Sequence, residues 1–280
     1  MTVDTHCLPS GSLVSHQLGV CGVPGNGTYQ APTATLRGTA VLCHGLDVVP
    51  TGPPVYPFDS GGILPIYFGT WTADLRADGW GVLSPAYPED GYAGAPVAGL
   101  LDDVKTDPAF GARYLATTLL WCDHILDFCE TTNPGKPVLL LGMSEGGWHV
   151  LTIMGSSRSD SFVGGIAHCP ATIWSNASPA FTAPYSFAGV NTTGMDAGTG
   201  VLDGCTRPVM VSYGTNDAAV GYDLAGTGGT PVSNTDSIIT NAQAAGRPIT
   251  RNATTDNHEL LAADVTTFMS YITGTIDPLT

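Results

Sequence analysis

The tightest constraint on the fold lies in the stretch Val138-Leu139-Leu140-Leu141-Gly142-Met143-Ser144-Glu145-Gly146-Gly147. An apolar run of strand length reaches a glycine-flanked serine, and a helix-compatible segment, residues 148–155, follows at once. A chain that passes from strand to helix within one residue must turn so sharply that side chains two positions either side would collide. Glycine at 142 and 146 removes them and permits the backbone angles. The turn lifts the serine oxygen clear of the sheet. It also sets the next peptide N–H at a helix start, where partial positive charge collects. A Gly-rich turn with a capping serine has the same G-x-S-x-G spelling; the buried strand in front of it favours a nucleophile.

The rest of the chain keeps the same rhythm. Gly38-Thr39-Ala40-Val41-Leu42-Cys43 reads as a short strand that runs into His44-Gly45-Leu46-Asp47. A long Pro/Gly-rich loop, residues 48–64, comes next, and loops of that length are uncommon without a purpose. Apolar residues Ile66, Phe68, Trp71 and Leu75 predict a helix over 66–78 that Gly79 stops. Residues 81–85 read as a strand. Asp107-Pro108 is a helix start, N-cap then first position, and that helix runs on through Phe128. Further strands are expected at 162–168, 208–213 and 248–252, with helices at 237–245 and 260–271. Strands apolar on both faces, alternating with helices, predict a mainly parallel sheet covered on both sides.

Two regions fall outside that rhythm. Residues 1–36 are rich in Gly, Pro, Ser and Thr without a clear period; an irregular N-terminal segment with a short hairpin or two, packed on the main domain, is expected. Residues 170–205 hold Trp174, Phe181, Tyr185 and Phe187 among Pro, Asn, Thr and Gly. An insertion between two strands belongs at the carboxyl edge of the sheet, where α/β proteins bind ligands, so a cap or pocket wall is expected there. No repeat, linker or second core is visible. The expectation is one α/β domain over 37–280, with the segment 1–36 against it.

Composition excludes several partners. The formal charge is −15, from 9 basic and 24 acidic residues, and Lys105 and Lys136 are the only lysines. Without a basic cluster, nucleic acid and anionic membrane surfaces are repelled. No stretch reaches the length of a membrane span. Residues 1–9 lack the basic start and apolar run of an ordinary signal peptide, and compartment stays open between cytoplasmic, secreted and virion-associated.

Seven cysteines, at 7, 21, 43, 122, 129, 169 and 205, match no zinc module. Cys122 and Cys129 are about 10 Å apart along one helix, too far to bridge. Cys7 with Cys21 and Cys169 with Cys205 are compatible with disulfides, and buried free thiols are equally so. The histidines are dispersed, with no H-x-E or H-E-x-x-H spacing, and no phosphate loop or dinucleotide fingerprint occurs, so neither metal nor cofactor is expected.

A serine hydroxyl needs a base to take its proton, and the base needs a carboxylate to fix its tautomer. Asp217 follows a buried strand two elements after the one carrying Ser144, and His258 sits in the loop after the last strand. Asp196 and Asp203 lie in the insertion rather than at a strand end, and Asp223 is a more distant choice of acid. His168 ends a strand and is expected to line the site; His149 is expected to face the core, and His124 the helix surface.

With these residues in place, the chain resembles an α/β-hydrolase of the serine esterase/lipase type from about Arg37 onward. The likeness rests on the Ser144 turn, on His44-Gly45 after an early strand, on Gly214-Thr215-Asn216-Asp217-Ala218-Ala219-Val220, similar to the family's G-x-x-D-x-x-V acid loop, and on His258 before the last helix. The chain order Ser, Asp, His is the family's order. The resemblance implies Ser144 as nucleophile, His258 as base then acid, and Asp217 as the orienting acid. It implies an oxyanion hole from the backbone N–H groups of Glu145 and Leu46. His44, Trp174, Phe181 and Tyr185 are expected to line the substrate site. The implied activity is hydrolysis of a small-molecule or polymer-borne ester through an acyl-serine. A peptidase or amidase on the same scaffold, or a binding protein without catalysis, are the alternatives.

Overall fold

The computed structural model describes residues 5–6, 13–18, 23–43, 64–85, 110–172, 197–217 and 232–277. Its centre is a sheet of strands β1 (Thr5–His6), β2 (Leu13–Leu18), β3 (Val23–Gln30), β4 (Gly38–Cys43), β5 (Trp80–Ser84), β6 (Val138–Met143), β7 (Gly164–His168), β8 (Val209–Gly214) and β9 (Ile249–Thr254). They lie in the order β1-β2-β3-β5-β4-β6-β7-β8-β9. From β5 to β9 every pairing is parallel, while β1, β2 and β3 extend the sheet antiparallel beyond β5. The helices are α1 (Leu64–Ala77), α2 (Phe110–Thr132), α3 (Glu145–Met154), α4 (Val232–Ala244) and α5 (Ala262–Tyr271).

The apolar strands are covered on both faces, as their sequence requires. Along β6, Val138 and Leu140 enter a core with Trp121, Ile125 and Phe128 of α2, Val150 and Ile153 of α3, and Ile238 and Ile239 of α4. Their neighbours Leu139, Leu141 and Met143 enter the opposite core, with Trp71 and Leu75 of α1 and Val265 and Phe268 of α5. Each fully buried aliphatic side chain contributes about 1.5–3 kcal/mol, so central strands of Val and Leu anchor both layers together. β9 departs from the expectation of strands apolar on both faces. It is the edge strand, with Thr250 and Arg251 exposed, and a charged edge discourages pairing with another chain.

Within the segment before 37, β2 and β3 form a hairpin, and its second strand joins the sheet. Tyr29 holds it there. Its ring meets Phe128 edge-on at 5.7 Å, and its hydroxyl accepts a 2.9 Å bond from the buried Asn133 amide, which also reaches Thr39 Oγ1 of β4.

The cysteine pairing Cys169–Cys205 does not form. Both thiols are free and buried. The reason is topological: Cys169 follows the carboxyl end of β7, whereas Cys205 precedes β8 and sits at the opposite edge, where its thiol donates to the Arg207 carbonyl at 3.2 Å. Cys7 and Cys21 lie outside the described residues.

The topology also says where a ligand site belongs. From β4 the chain crosses by way of α1 to β5 on one side, then returns past β4 to β6 and proceeds the other way. The carboxyl ends of β4 and β6 therefore flank the switch point of the sheet, the crevice where open α/β sheets bind ligands.

Candidate active site

Ser144 stands directly at that crevice. It follows β6 and precedes α3 with φ 60 and ψ −119, a backbone region that costs a non-glycine residue about 1–3 kcal/mol and persists only where surroundings enforce it. The enforcement is visible. The Ser144 N–H donates to the His168 carbonyl at 2.9 Å, and its own carbonyl accepts from Trp148 and Ala171 at 3.1 and 2.9 Å. A Cβ at Gly142 would lie 2.2 Å from the Gly146 carbonyl oxygen, and one at Gly147 2.8 Å from Cα of Pro170. The close approaches at 142 and 147 are thus contacts of backbone with backbone, which no rotamer relieves. Ser144 is 8% exposed. Glu145 opens α3, so its N–H stands at the helix N-terminus, where the peptide dipoles concentrate partial positive charge.

Two strands away, the loops after β8 and β9 lock together. Thr215 N–H donates to Thr254 at 2.8 Å and Asn216 N–H to Asp256 at 3.3 Å. Gly214 allows the crossing: a Cβ there would lie 2.1 Å from the Asp256 carbonyl oxygen. The result is a 2.8 Å contact between His258 Nδ1 and Asp217 Oδ2. The carboxylate is 2% exposed and the imidazole 22%. An imidazole whose Nδ1–H is held by a carboxylate presents Nε2 as its free acceptor.

The histidine expected to line the site has a different role. His168 is buried, its Nε2 2.7 Å from the Glu259 carbonyl and its Nδ1 3.2 Å from Ser212 Oγ. The carbonyl fixes the tautomer: Nε2–H donates, and Nδ1 accepts from the Ser212 hydroxyl, which in turn accepts from Asn252 at 3.0 Å. Burial holds the His168 pKa below its ordinary value, against the opposing pull of the Glu259 bond. With both nitrogens engaged it is a tether. Its carbonyl holds Ser144, and its ring holds the residue next to His258.

Cys169 lies beside the His258–Asp217 pair, a placement that the sequence did not single out. Its φ of 43 is left-handed, and its buried thiol donates to Asp217 while accepting from the Gly214 N–H. Burial first, then the Asp217 charge, push the thiol well above its usual pKa. The only available signal was its position one residue past a predicted strand end.

Other expected residues divide plainly. His149 packs between Trp121 and Trp148, both at 5.2 Å, and faces the core. Asp203 is exposed in the turn leading to β8, at the wrong edge of the sheet to orient a base. Leu46, His44, Trp174, Phe181, Tyr185, Asp196 and Asp223 lie outside the described residues. The stems of the insertion are described: Ala197 N–H donates to Thr172 at 2.9 Å, one residue after the Ala171 contact with Ser144. The two ends of the insertion therefore meet beside the serine.

No protein-family model and no curated protein sequence matches the chain. Solved structures do. Acetyl xylan esterase 1 from a Thermoanaerobacterium species superposes with a TM-score of 0.61 at 12% identity, covering 97% of this chain and 86% of that one. The glucuronoyl esterase from Solibacter usitatus gives 0.60 at 11% identity, over 97% and 85%. Est1E from Butyrivibrio proteoclasticus gives 0.58 at 13% identity, over 94% of this chain and 100% of that one. At such identities the likeness is one of architecture, and it defines the class: the chain has the α/β-hydrolase fold.

Proposed function

We propose that this protein is a serine esterase that hydrolyses carboxylic esters through an acyl-serine intermediate, with Ser144, Asp217 and His258 as its catalytic residues. The observation that carries the reading is the 2.8 Å His258–Asp217 pair on the same sheet edge as a serine held at positive φ. A capping serine needs neither the strained backbone nor the buried acid–base pair.

In this reading His258 Nε2 takes the Ser144 hydroxyl proton as Oγ attacks the ester carbonyl. The tetrahedral oxyanion accepts hydrogen bonds from the N–H groups of Glu145 and Leu46, each worth about two to three orders of magnitude in rate. Imidazolium then protonates the leaving alcohol, the acyl group stays on Oγ, and water repeats the cycle with His258 as base. Asp217 stabilises the imidazolium without itself taking the proton. Structural likeness to enzymes named for acetyl xylan and glucuronoyl esters supports a small or polymer-borne ester as substrate, and the Trp174, Phe181 and Tyr185 insertion is its proposed wall.

The test is hydrolysis of p-nitrophenyl esters from acetate to palmitate, beside a fluorophosphonate probe. Wild type should turn over short esters and be labelled once per chain. Ser144→Ala should lose about four to six orders of magnitude in kcat together with the label. Wild-type silence toward every ester and the probe, from folded protein, would remove the esterase reading in favour of a binding protein.

A further inference from the structure

The esterase reading uses Asp217 and His258 but leaves Cys169 without a chemical role. Cys169 Sγ, an Asp217 carboxylate oxygen and a His258 ring nitrogen all lie within 4.8 Å of one another. One sulfur, one nitrogen and one oxygen form the donor set that thiophilic d¹⁰ cations prefer, because thiolate and imidazole are softer than water and carboxylate balances charge. Their residues are far apart in sequence, at 169, 217 and 258, and no spacing rule could reveal them. The loops after β7, β8 and β9 bring them together.

We propose that Cys169, Asp217 and His258 bind a divalent cation of the zinc and cadmium type, and that its binding switches the acid–base pair off. Metal–donor distances of about 2.0–2.3 Å would draw the three donors toward the ion and open the His258–Asp217 contact. The 22% exposed imidazole is the side open to entry. The proton balance follows from the ligands. The thiol gives up its proton to solvent. Nδ1 becomes the metal ligand, and its proton is transferred through solvent to Nε2, so imidazole stays neutral. Thiolate and carboxylate then offset the two positive charges. Nε2, the atom that must accept the serine proton, is now an N–H donor, and His258 can no longer act as base. The fourth metal position is left for water or substrate. The protein's −15 charge raises the local concentration of any dication.

The effect on activity rests on the proposed role of His258, whereas binding does not, and the experiment separates the two. Full-length wild type is titrated with Cd²⁺, reading the ultraviolet thiolate-to-cadmium charge-transfer band and p-nitrophenyl acetate hydrolysis in parallel; Zn²⁺ is then used in competition. The expected result is one equivalent of band-forming metal, matching loss of hydrolysis, one proton released per ion, and recovery on chelation. In Cys169→Ser the high-affinity band and the metal sensitivity should vanish. Loss of outer-shell groups already costs metal sites about ten- to a hundredfold, so removing a ligand should weaken cadmium binding by at least that much. Persistence of the band in Cys169→Ser overturns the site. If that variant does not fold, His258→Gln is the second arm: it should keep the thiolate band at affinity at least about tenfold weaker, and unchanged affinity overturns the site. An active enzyme without a band removes the site and leaves the esterase; a band in a protein inert to esters and fluorophosphonate keeps the site and removes the esterase.

Discussion

The serine turn and the acid–base corner sit on one sheet edge and are built on opposite principles. At the turn, specificity is stored in the backbone: Ser144 is held at φ 60 by close backbone approaches at Gly142 and Gly147 and by three main-chain hydrogen bonds. At the corner, Asp217 and His258 are brought to 2.8 Å by two loops from different strands crossing over Gly214. The turn is a packed backbone device, and the corner a crossing of two loops. They should therefore fail differently: steric damage at the turn should unfold, while damage at the corner should misalign.

Exchange at the corner comes first in magnitude. Asp217→Asn keeps size but removes the charge and favours the wrong imidazole tautomer, so kcat should fall by about four orders of magnitude while thermal unfolding stays close to wild type. A fall in kcat no larger than in Km would make Asp217 a structural residue and collapse the distinction. Next comes Gly142→Ala. The new Cβ would meet the Gly146 carbonyl carbon and oxygen at 2.4 and 2.2 Å, inside a helix–strand junction where nothing can move aside. Overpacking of that kind costs about 3 kcal/mol or more, and denaturant unfolding should register it in the midpoint.

Gly214→Ala makes nearly the same clash, 2.1 Å to the Asp256 oxygen, but between loops at the sheet edge. The loops can part, so the expectation is a folded protein with kcat lower by about a hundredfold from displacement of His258. Equal unfolding in both alanine variants would erase the comparison. The smallest effect should be that of His168→Gln. Because burial depresses the native His168 pKa, the unfolded chain binds a proton that the native one does not once pH drops below the ordinary histidine value near about 6.5. Stability from this group is present above that value and is lost as pH falls toward the depressed native pKa. Melting temperature against pH should thus be flatter in the variant over that acid limb, and parallel curves would exclude His168 as its source.

The difference between turn and corner also explains what could be read in advance. By itself the sequence determined the parallel sheet, because Val138 to Leu141 and their counterparts in β4 and β8 are apolar on both faces and separated by helices. It determined the serine turn as well, since glycine placement within a few residues is what permits that geometry. Only tertiary structure decided that the hairpin before residue 37 joins the sheet, where Tyr29 fills a gap against Phe128 and Asn133. It decided likewise that Cys169 and Cys205 stand at opposite edges, and that His168 tethers two loops through both ring nitrogens. The physical reason is range. Backbone angles and burial periodicity are encoded by neighbours in the chain, whereas a contact such as Cys169 with Asp217 exists only once two strands have taken their places side by side.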